Sequence, residues 1–206
     1  MKKNIIQIAL LAVIIVLVYF VINSIMAPVR FNKEKKIREF KVIEKLKDIR
    51  TAQLTYKSVY GQYTGDFDTL IDFVNNGELP IVLKKGTVPD SLTTEEALEL
   101  GLITRDTTMI FVKDSLFKNI ENFVIENIQY VPFTDRKVKF TLAAGKIERS
   151  SVMVPIFEAM VHNDVILQGL DRQMVRNLNQ KLEDIEKYPG LKVGSMIEPS
   201  TDGNWE

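Results

Sequence analysis

The chain has no cysteine and a single histidine, His162, in 206 residues. Without cysteine there is no disulfide framework, no thiolate nucleophile, no iron–sulfur cluster and no cysteine-based zinc site. One histidine also removes histidine-rich metal sites and His–His relays. Excess charge of either sign is missing too, because 27 Lys and Arg offset 27 Asp and Glu. That balance argues against a dedicated nucleic-acid binder, and no nucleic-acid partner is expected. With 10 Gly and 7 Pro the chain is neither collagen-like nor linker-dominated. No G-x-x-x-x-G-K-[ST] or G-x-G-x-x-G phosphate loop occurs. These absences remove most enzyme mechanisms, and no cofactor is expected. The hydrophobic content of 46% is that of a folded protein.

The zero net charge is an average of two unlike parts. Residues 1–50 hold 11 basic and 4 acidic residues, whereas residues 51–206 hold 16 basic and 23 acidic ones. A basic, membrane-proximal segment joined to a mildly acidic domain fits this split.

No charge interrupts the stretch from Asn4 to Val29. Its core, IIQIALLAVIIVLVYFVINSIMA, spans roughly 34 Å as a helix, enough for the ~30 Å hydrocarbon layer. A fully buried core helix would also lack a polar face, but one of this length is rarer than a membrane span. A cleaved signal peptide is the stronger competitor, since Lys2 and Lys3 make a suitable n-region. The apolar run exceeds the usual h-region, however, and Pro28 directly follows Ala27, the one good small-residue cleavage site. The reading is an uncleaved anchor. Positive-inside counting sets Lys2 and Lys3 against Arg30, Lys33, Lys35, Lys36 and Arg38. The very short N-terminus instead follows the signal-anchor pattern, with the C-terminal part exported.

Residues 31–60 carry Phe31, Ile37, Phe40, Ile43, Leu46, Ile49, Ala52, Tyr56, Val59 and Tyr60, mostly at three- and four-residue steps. This periodicity predicts an amphipathic helix of about 30 residues, ~45 Å long, stopped by Gly61. Ile49, Ala52, Tyr56 and Tyr60 are the expected helix–head contacts. Arg30, Lys33, Lys35 and Lys36 are the expected contacts to anionic lipid. The domain reading is a tail at 1–4, a transmembrane helix at 5–27, a stalk helix at 28–62 and a globular head at 63–206.

The head reads as α+β. Asp68 is expected to cap a helix TLIDFVNN. Thr93-x-x-Glu96 forms a capping box for a second helix, ended by Gly101. ELPIVLKK suggests a short extended piece. Strands are predicted near 122–133, 137–148 and 151–161, in an antiparallel sheet with one buried face. A helix over LDRQMVRNLNQKLEDIEKY follows, with Met174, Val175, Leu178, Leu182 and Ile185 on its apolar side. LKVGSM returns as a strand, and the polar tail EPSTDGNWE is expected to be irregular.

The run KDIRTAQLTYKSVYGQYTGDFDTLIDFV, following a membrane helix that passes through a proline, resembles the type IV pilin and type II secretion pseudopilin superfamily. The resemblance covers roughly residues 5–75. It implies an N-terminal half-helix that packs in a filament core and a periplasmic head bearing an antiparallel sheet. It also implies an inner-membrane location with the N-terminus cytoplasmic. Two family features are missing: no Gly-Phe processing start exists, and Leu11 stands at the fifth-position Glu. No glutamate precedes Glu34. A fixed, pilin-like membrane subunit therefore fits better than a processed filament subunit.

Metal candidates are Asp66, Asp68 and Asp72, and the tail residues Glu198, Asp202, Asn204 and Glu206. Neither group has the ligand spacing of a calcium loop. His162 stands beside Asp164, without a G-x-S-x-G motif, while Ser150, Ser151 and Ser195 lack a visible activating base. Tyr56, Tyr60 and Tyr63 offer stacking rings, but their helical spacing favours packing. The expected function is a non-catalytic, single-pass structural or assembly protein. Its partners would be the lipid bilayer, envelope proteins or copies of itself. The alternatives are a membrane-tethered ligand-binding or accessory subunit of a secretion or transport complex, and a membrane-anchored hydrolase.

Overall fold

The computed structural model describes residues 2–86, 93–100, 102–118 and 124–206. Helix α1 (Lys2–Tyr60) is 59 residues long, ~88 Å at the α-helical rise, and stays helical through Pro28. Proline has no N–H, so the Ser24 carbonyl loses its usual helical donor there. Beyond Pro28 the helix is laced by Lys35–Glu39 at 3.0 Å and Lys41–Glu44 at 2.9 Å. Gly61 ends it with φ 70°, its N–H donating to the Lys57 carbonyl at 2.8 Å. That left-handed closing residue suits glycine, which has no Cβ.

Val42, Leu46, Ile49, Ala52 and Gln53 of α1 are fully buried. Their three- and four-residue spacing is the core-facing stripe of an amphipathic helix, so the second half of α1 is a core element of the head. Each buried aliphatic side chain contributes about 1.5–3 kcal/mol relative to exposure. Gln53 is buried at no cost in unmet hydrogen bonds, because it clasps the backbone of Thr64. Its Nε2 donates to the Thr64 carbonyl at 2.6 Å, and its Oε1 accepts from the Thr64 N–H at 3.2 Å. The clasp turns the chain back against α1.

Helix α2 (Phe67–Asn76) buries Phe67, Leu70, Phe73 and Val74. Its cap is Asp66, not Asp68. Asp66 has the extended backbone a cap requires, and its carboxylate accepts from the Thr69 N–H at 2.8 Å and the Thr69 hydroxyl at 2.7 Å. Asp68 lies in the first helical turn.

Strand β1 (Glu78–Gly86) pairs antiparallel with β2 (Ile103–Phe111) from Glu78↔Phe111 to Gly86↔Ile103. The segment ITRDTTMIF, for which the sequence pattern predicts no element, is a strand through its pairing with β1. Between the strands, helix α3 (Thr94–Glu99) has the expected capping box, with Glu96 accepting from the Thr93 N–H at 2.8 Å. Gly101 lies outside the described residues. Helix α4 (Val112–Leu116) closes the base of the ribbon, its Val112 N–H donating to the Gly77 carbonyl at 3.0 Å.

The strand expected at 122–133 is corrected. Residues 122 and 123 lie outside the described residues, and Ile125–Asn127 form a 3-10 turn. Ile125, Ile128 and Gln129 are buried, a helical spacing that overrides the β-branched composition. One bridge, Tyr130↔Lys139, is the remaining strand-like pairing there.

Strands β3 (Thr141–Arg149), β4 (Val152–His162) and β5 (Gly190–Gly194) form an antiparallel sheet in the order β3-β4-β5. Ser150 and Ser151, with φ 50° and 64°, make the tight turn between β3 and β4. Two left-handed residues in a row match the right-handed twist of the flanking strands. Helix α5 (Asn163–Ile166) and helix α6 (Arg172–Glu183) connect β4 to β5. Helix α6 is shorter than the expected 170–188. It stops at Glu183, Glu186 takes φ 55°, and Ile185 is exposed rather than on the packed side.

The tail is irregular but docked. Gly194 donates to the Asp202 carbonyl at 2.9 Å and Asn204 to the Lys192 carbonyl at 3.0 Å, covering the open edge of β5. Gly194 has φ 75° and lies so close to the Phe157 carbonyl that a Cβ would collide with it. Glu206 reaches Arg50 of α1 at 2.9 Å, tying the tail to the helix. Phe157 of β4 fills the centre of the core against Tyr63, with ring centroids 4.7 Å apart.

Candidate membrane interface

Residues 10–29 of α1 expose nearly every large apolar side chain they carry, from Leu10 at 61% to Val29 at 54%. The helix near the N-terminus is long and apolar enough to cross a membrane; its most apolar 18 residues have a mean hydropathy of 2.7, and none of them is buried. An apolar surface of this extent far exceeds the few hundred Å² patches of soluble monomers.

The polar boundary is set from above. Arg30 folds back along the helix, its Nη2 donating to Asn23 Oδ1 at 2.8 Å and its Nε to the Met26 carbonyl at 3.4 Å. With Tyr19 and Ile22 these residues line a groove of about 320 Å³. Lys33 and Lys36 are exposed. Lys35 differs from them, because its ammonium pairs with Glu39 and its side chain is only 23% exposed. It lines a hollow with Leu178, Leu182 and Lys187 of the head, so it faces protein rather than the surroundings.

The head is fixed to α1 close to that boundary. Phe31 packs against the core, and Arg38 donates to the carbonyls of Ile166 at 3.2 Å and Gln168 at 2.8 Å. The Arg38 guanidinium also lies 5.4 Å from the Phe133 ring centroid. Higher on the helix, Ile49 and Ala52 are fully buried. Tyr56 meets Phe73 edge-on at 5.1 Å, while Tyr60, 5.6 Å from Phe73, remains 56% exposed. The clamps Arg38, Gln53 and Arg50–Glu206 were not singled out from sequence, because each partner lies at an unrelated position in the chain.

A groove of about 750 Å³ runs between Lys41–Asp48 of α1 and residues 127–136. Burial pushes the Asp48 carboxyl above its ordinary value, with Lys45 opposing and Glu44 adding to the shift. Phe133, Asp135 and Arg136 in its wall all have positive φ.

Of the metal candidates, Asp66 and Asn204 are engaged in hydrogen bonds within the fold. Thr69 holds the Asp66 carboxyl below its usual range by donating its hydroxyl and N–H to the charged form, as at a helix cap. Glu198, Asp202 and Asn204 share a hollow of about 290 Å³ with Ser195 and Ser200. Asn204 is spent on backbone, accepting from the Lys192 N–H at 3.1 Å and donating to the Gly190 carbonyl at 2.9 Å. Arg50 holds the Glu206 carboxyl low by hydrogen bonding. Among the described residues no group of three or more His, Asp or Glu could hold a metal ion.

His162 caps α5, its Nδ1 accepting from the Asp164 N–H at 3.2 Å. Asp164 also accepts from Asn179 at 2.9 Å, and Asn163 donates to Asn179 at 3.0 Å. Neither Ser150–Ser151, in the β3–β4 turn, nor Ser195, whose hydroxyl oxygen accepts from Ile197 and Glu198, joins this network. No family model, curated protein or solved structure matches the chain.

Proposed function

We propose that the chain is a single-pass, membrane-anchored structural or assembly protein. It is non-catalytic, and its head stands on the periplasmic side of a bacterial inner membrane. One observation carries this reading: α1 is a single helix whose first half is bare and apolar and whose second half is the core of the head. A continuous helix transmits position and orientation from bilayer to head, which suits a scaffold. The pilin-like resemblance supports an exported head, and the missing processing start and fifth-position glutamate favour a fixed subunit over a filament subunit. The test is in-membrane crosslinking from exposed positions of α1, such as Phe40 and Leu54. Specific higher-mass products are expected, and monomer at every position would contradict the assembly role.

The groove beside Asp48 favours a second reading, an accessory subunit that receives part of a partner there. Imaging of detergent-free membranes separates the two, since periodic fibres would defeat the accessory reading.

A further inference from the structure

We propose that the outer edge of β2 pairs with β2 of a second copy of the chain, joining two ribbons into a four-stranded antiparallel sheet. This rests on the membrane-anchored assembly reading and deepens it by naming one partner and the surface it uses. The β1–β2 ribbon leaves the head at the end of α2, whose Phe73 rests on Tyr56 and Tyr60 of α1. Tyr56 lies roughly 40 Å along α1 beyond the apolar run, so the ribbon is placed to meet polypeptide rather than lipid.

The hydrogen-bond phase of the ribbon decides which backbone groups are left over. The Val112 N–H donates to the Gly77 carbonyl at 3.0 Å, which makes these two a bonded pair in the register that continues through the ribbon. Bonded and non-bonded pairs alternate in antiparallel strands, so Glu78 and Pro80 turn their backbone groups away from β2. Opposite them, Arg105, Thr107 and Met109 turn theirs away from β1. The outer edge of β1 is interrupted, because Pro80 has no N–H to offer. That of β2 has no such gap, and no backbone group outside the ribbon bonds to it at these three residues, among the described ones. An N–H and a carbonyl repeated at every second residue are matched by another extended backbone. The β5 edge, by contrast, is covered by the tail. Met109 and Phe111, large apolar residues beside this edge, are 53% and 52% exposed, which a solvated edge strand ordinarily avoids.

The occupant follows from the sequence of β2, which is self-complementary in one register. With Thr107 opposite its own copy, all 9 residues of the strand pair, Phe111 stands opposite Ile103 and Met109 opposite Arg105. Threonine–threonine and aromatic–β-branched neighbours are favourable cross-strand pairs, and no like charges are opposed. Sliding one strand by two residues either sets Asp106 against itself or leaves Ile103 and Thr104 without partners. Copies anchored in one bilayer also meet at high effective concentration, so a short interface gains occupancy without further contacts.

The experiment oxidises the full chain in native membranes with copper phenanthroline and reads disulfide-linked dimer on non-reducing gels. Opposed residues of a bonded antiparallel pair have Cα atoms about 5.5 Å apart, within reach of a disulfide. Thr107→Cys should therefore give dimer. Arg105→Cys and Met109→Cys should each stay monomeric, since like positions lie ~13 Å apart along the strands, whereas the double variant should give dimer. Glu78→Cys, on the outer edge of β1, should stay monomeric. Adding Thr107→Pro to the double variant should abolish its dimer, because proline there removes an outward N–H alone, as Pro80 does in β1. Head unfolding followed by circular dichroism should not change with Thr107→Pro. Dimer from every cysteine variant alike, or from none, would overturn the pairing. Thr107→Cys linked to a chain of different mass would assign the edge to a foreign strand and overturn self-pairing. Crosslinking at Phe40 or Leu54 with none at Thr107 would defeat this surface while leaving assembly standing. Release of the chain from membranes by alkaline carbonate would instead defeat the anchor reading, a distinct failure.

Discussion

Gln53 shows how a single polar side chain sets the path of the chain. It is fully buried, and both of its bonds go to Thr64, so the turn after α1 depends on it. Gln53→Leu should destabilise the head by about 1–3 kcal/mol, because the Thr64 backbone groups lose their partners inside the fold. Chemical denaturation of the detergent-solubilised chain measures this. Asp48 gives a residue-scale test with the opposite sign. Burial raises its carboxyl above the ordinary value, so the folded state binds the proton more tightly than the unfolded one. Its effect on stability is most favourable at pH values below the unfolded pKa and declines as pH rises through the folded pKa. Asp48→Asn should therefore raise Tm at pH 7, and that gain should shrink on approaching pH ~4. A Tm difference independent of pH would contradict the desolvation argument. None of this was legible from sequence, where Asp48 is one more charge on a helix face.

At the scale of elements, the cap of α2 separates two neighbouring carboxylates. Hydrogen bonds from Thr69 lower the Asp66 carboxyl, so its contribution is present above the unfolded pKa and lost as pH falls through the folded pKa. Asp66→Ala should lower Tm at pH 7, Asp66→Asn should retain most of the cap, and Asp68→Ala should do little. Thermal unfolding monitored by circular dichroism checks the order, and equal losses at 66 and 68 would contradict the assignment. What the sequence displayed and what it hid follow physical lines. The α1 pattern, the Thr93–Glu96 box and strands β3 and β4 are local signals, carried by periodicity and by neighbours three or four residues apart. Strand β2 and the 3-10 turn at Ile125–Asn127 are decided by tertiary partners. Composition leaves the first without an assignment and misassigns the second.

For the whole molecule, the decisive property is that the apolar run and the head share one helix. Arg38 clamps the head to α1 a few turns above the apolar run, with Phe31 packed below it. Leu46→Ala, which empties a fully buried site on the shared helix, should cost about 2–5 kcal/mol in head stability without releasing the chain from membranes. Loss of membrane association in that variant would show that anchor and head are not separable in energy. The apolar run and the basic residues above it were legible in the sequence. The withdrawal of Lys35 toward Glu39 and the fold-back of Arg30 onto Asn23 were not, because both depend on where the head and the helix side chains lie in space.

The absence of cysteine makes the central claim directly testable, since any introduced thiol is the only one in the chain. Leu17→Cys and Lys146→Cys would be labelled with a membrane-impermeant maleimide in intact cells and again after detergent lysis, with the outer membrane opened in both. A membrane-embedded α1 with an exported head should leave position 17 unlabelled until lysis and position 146 labelled from the start. Labelling of position 17 in intact cells, or of position 146 only after lysis, would contradict the account.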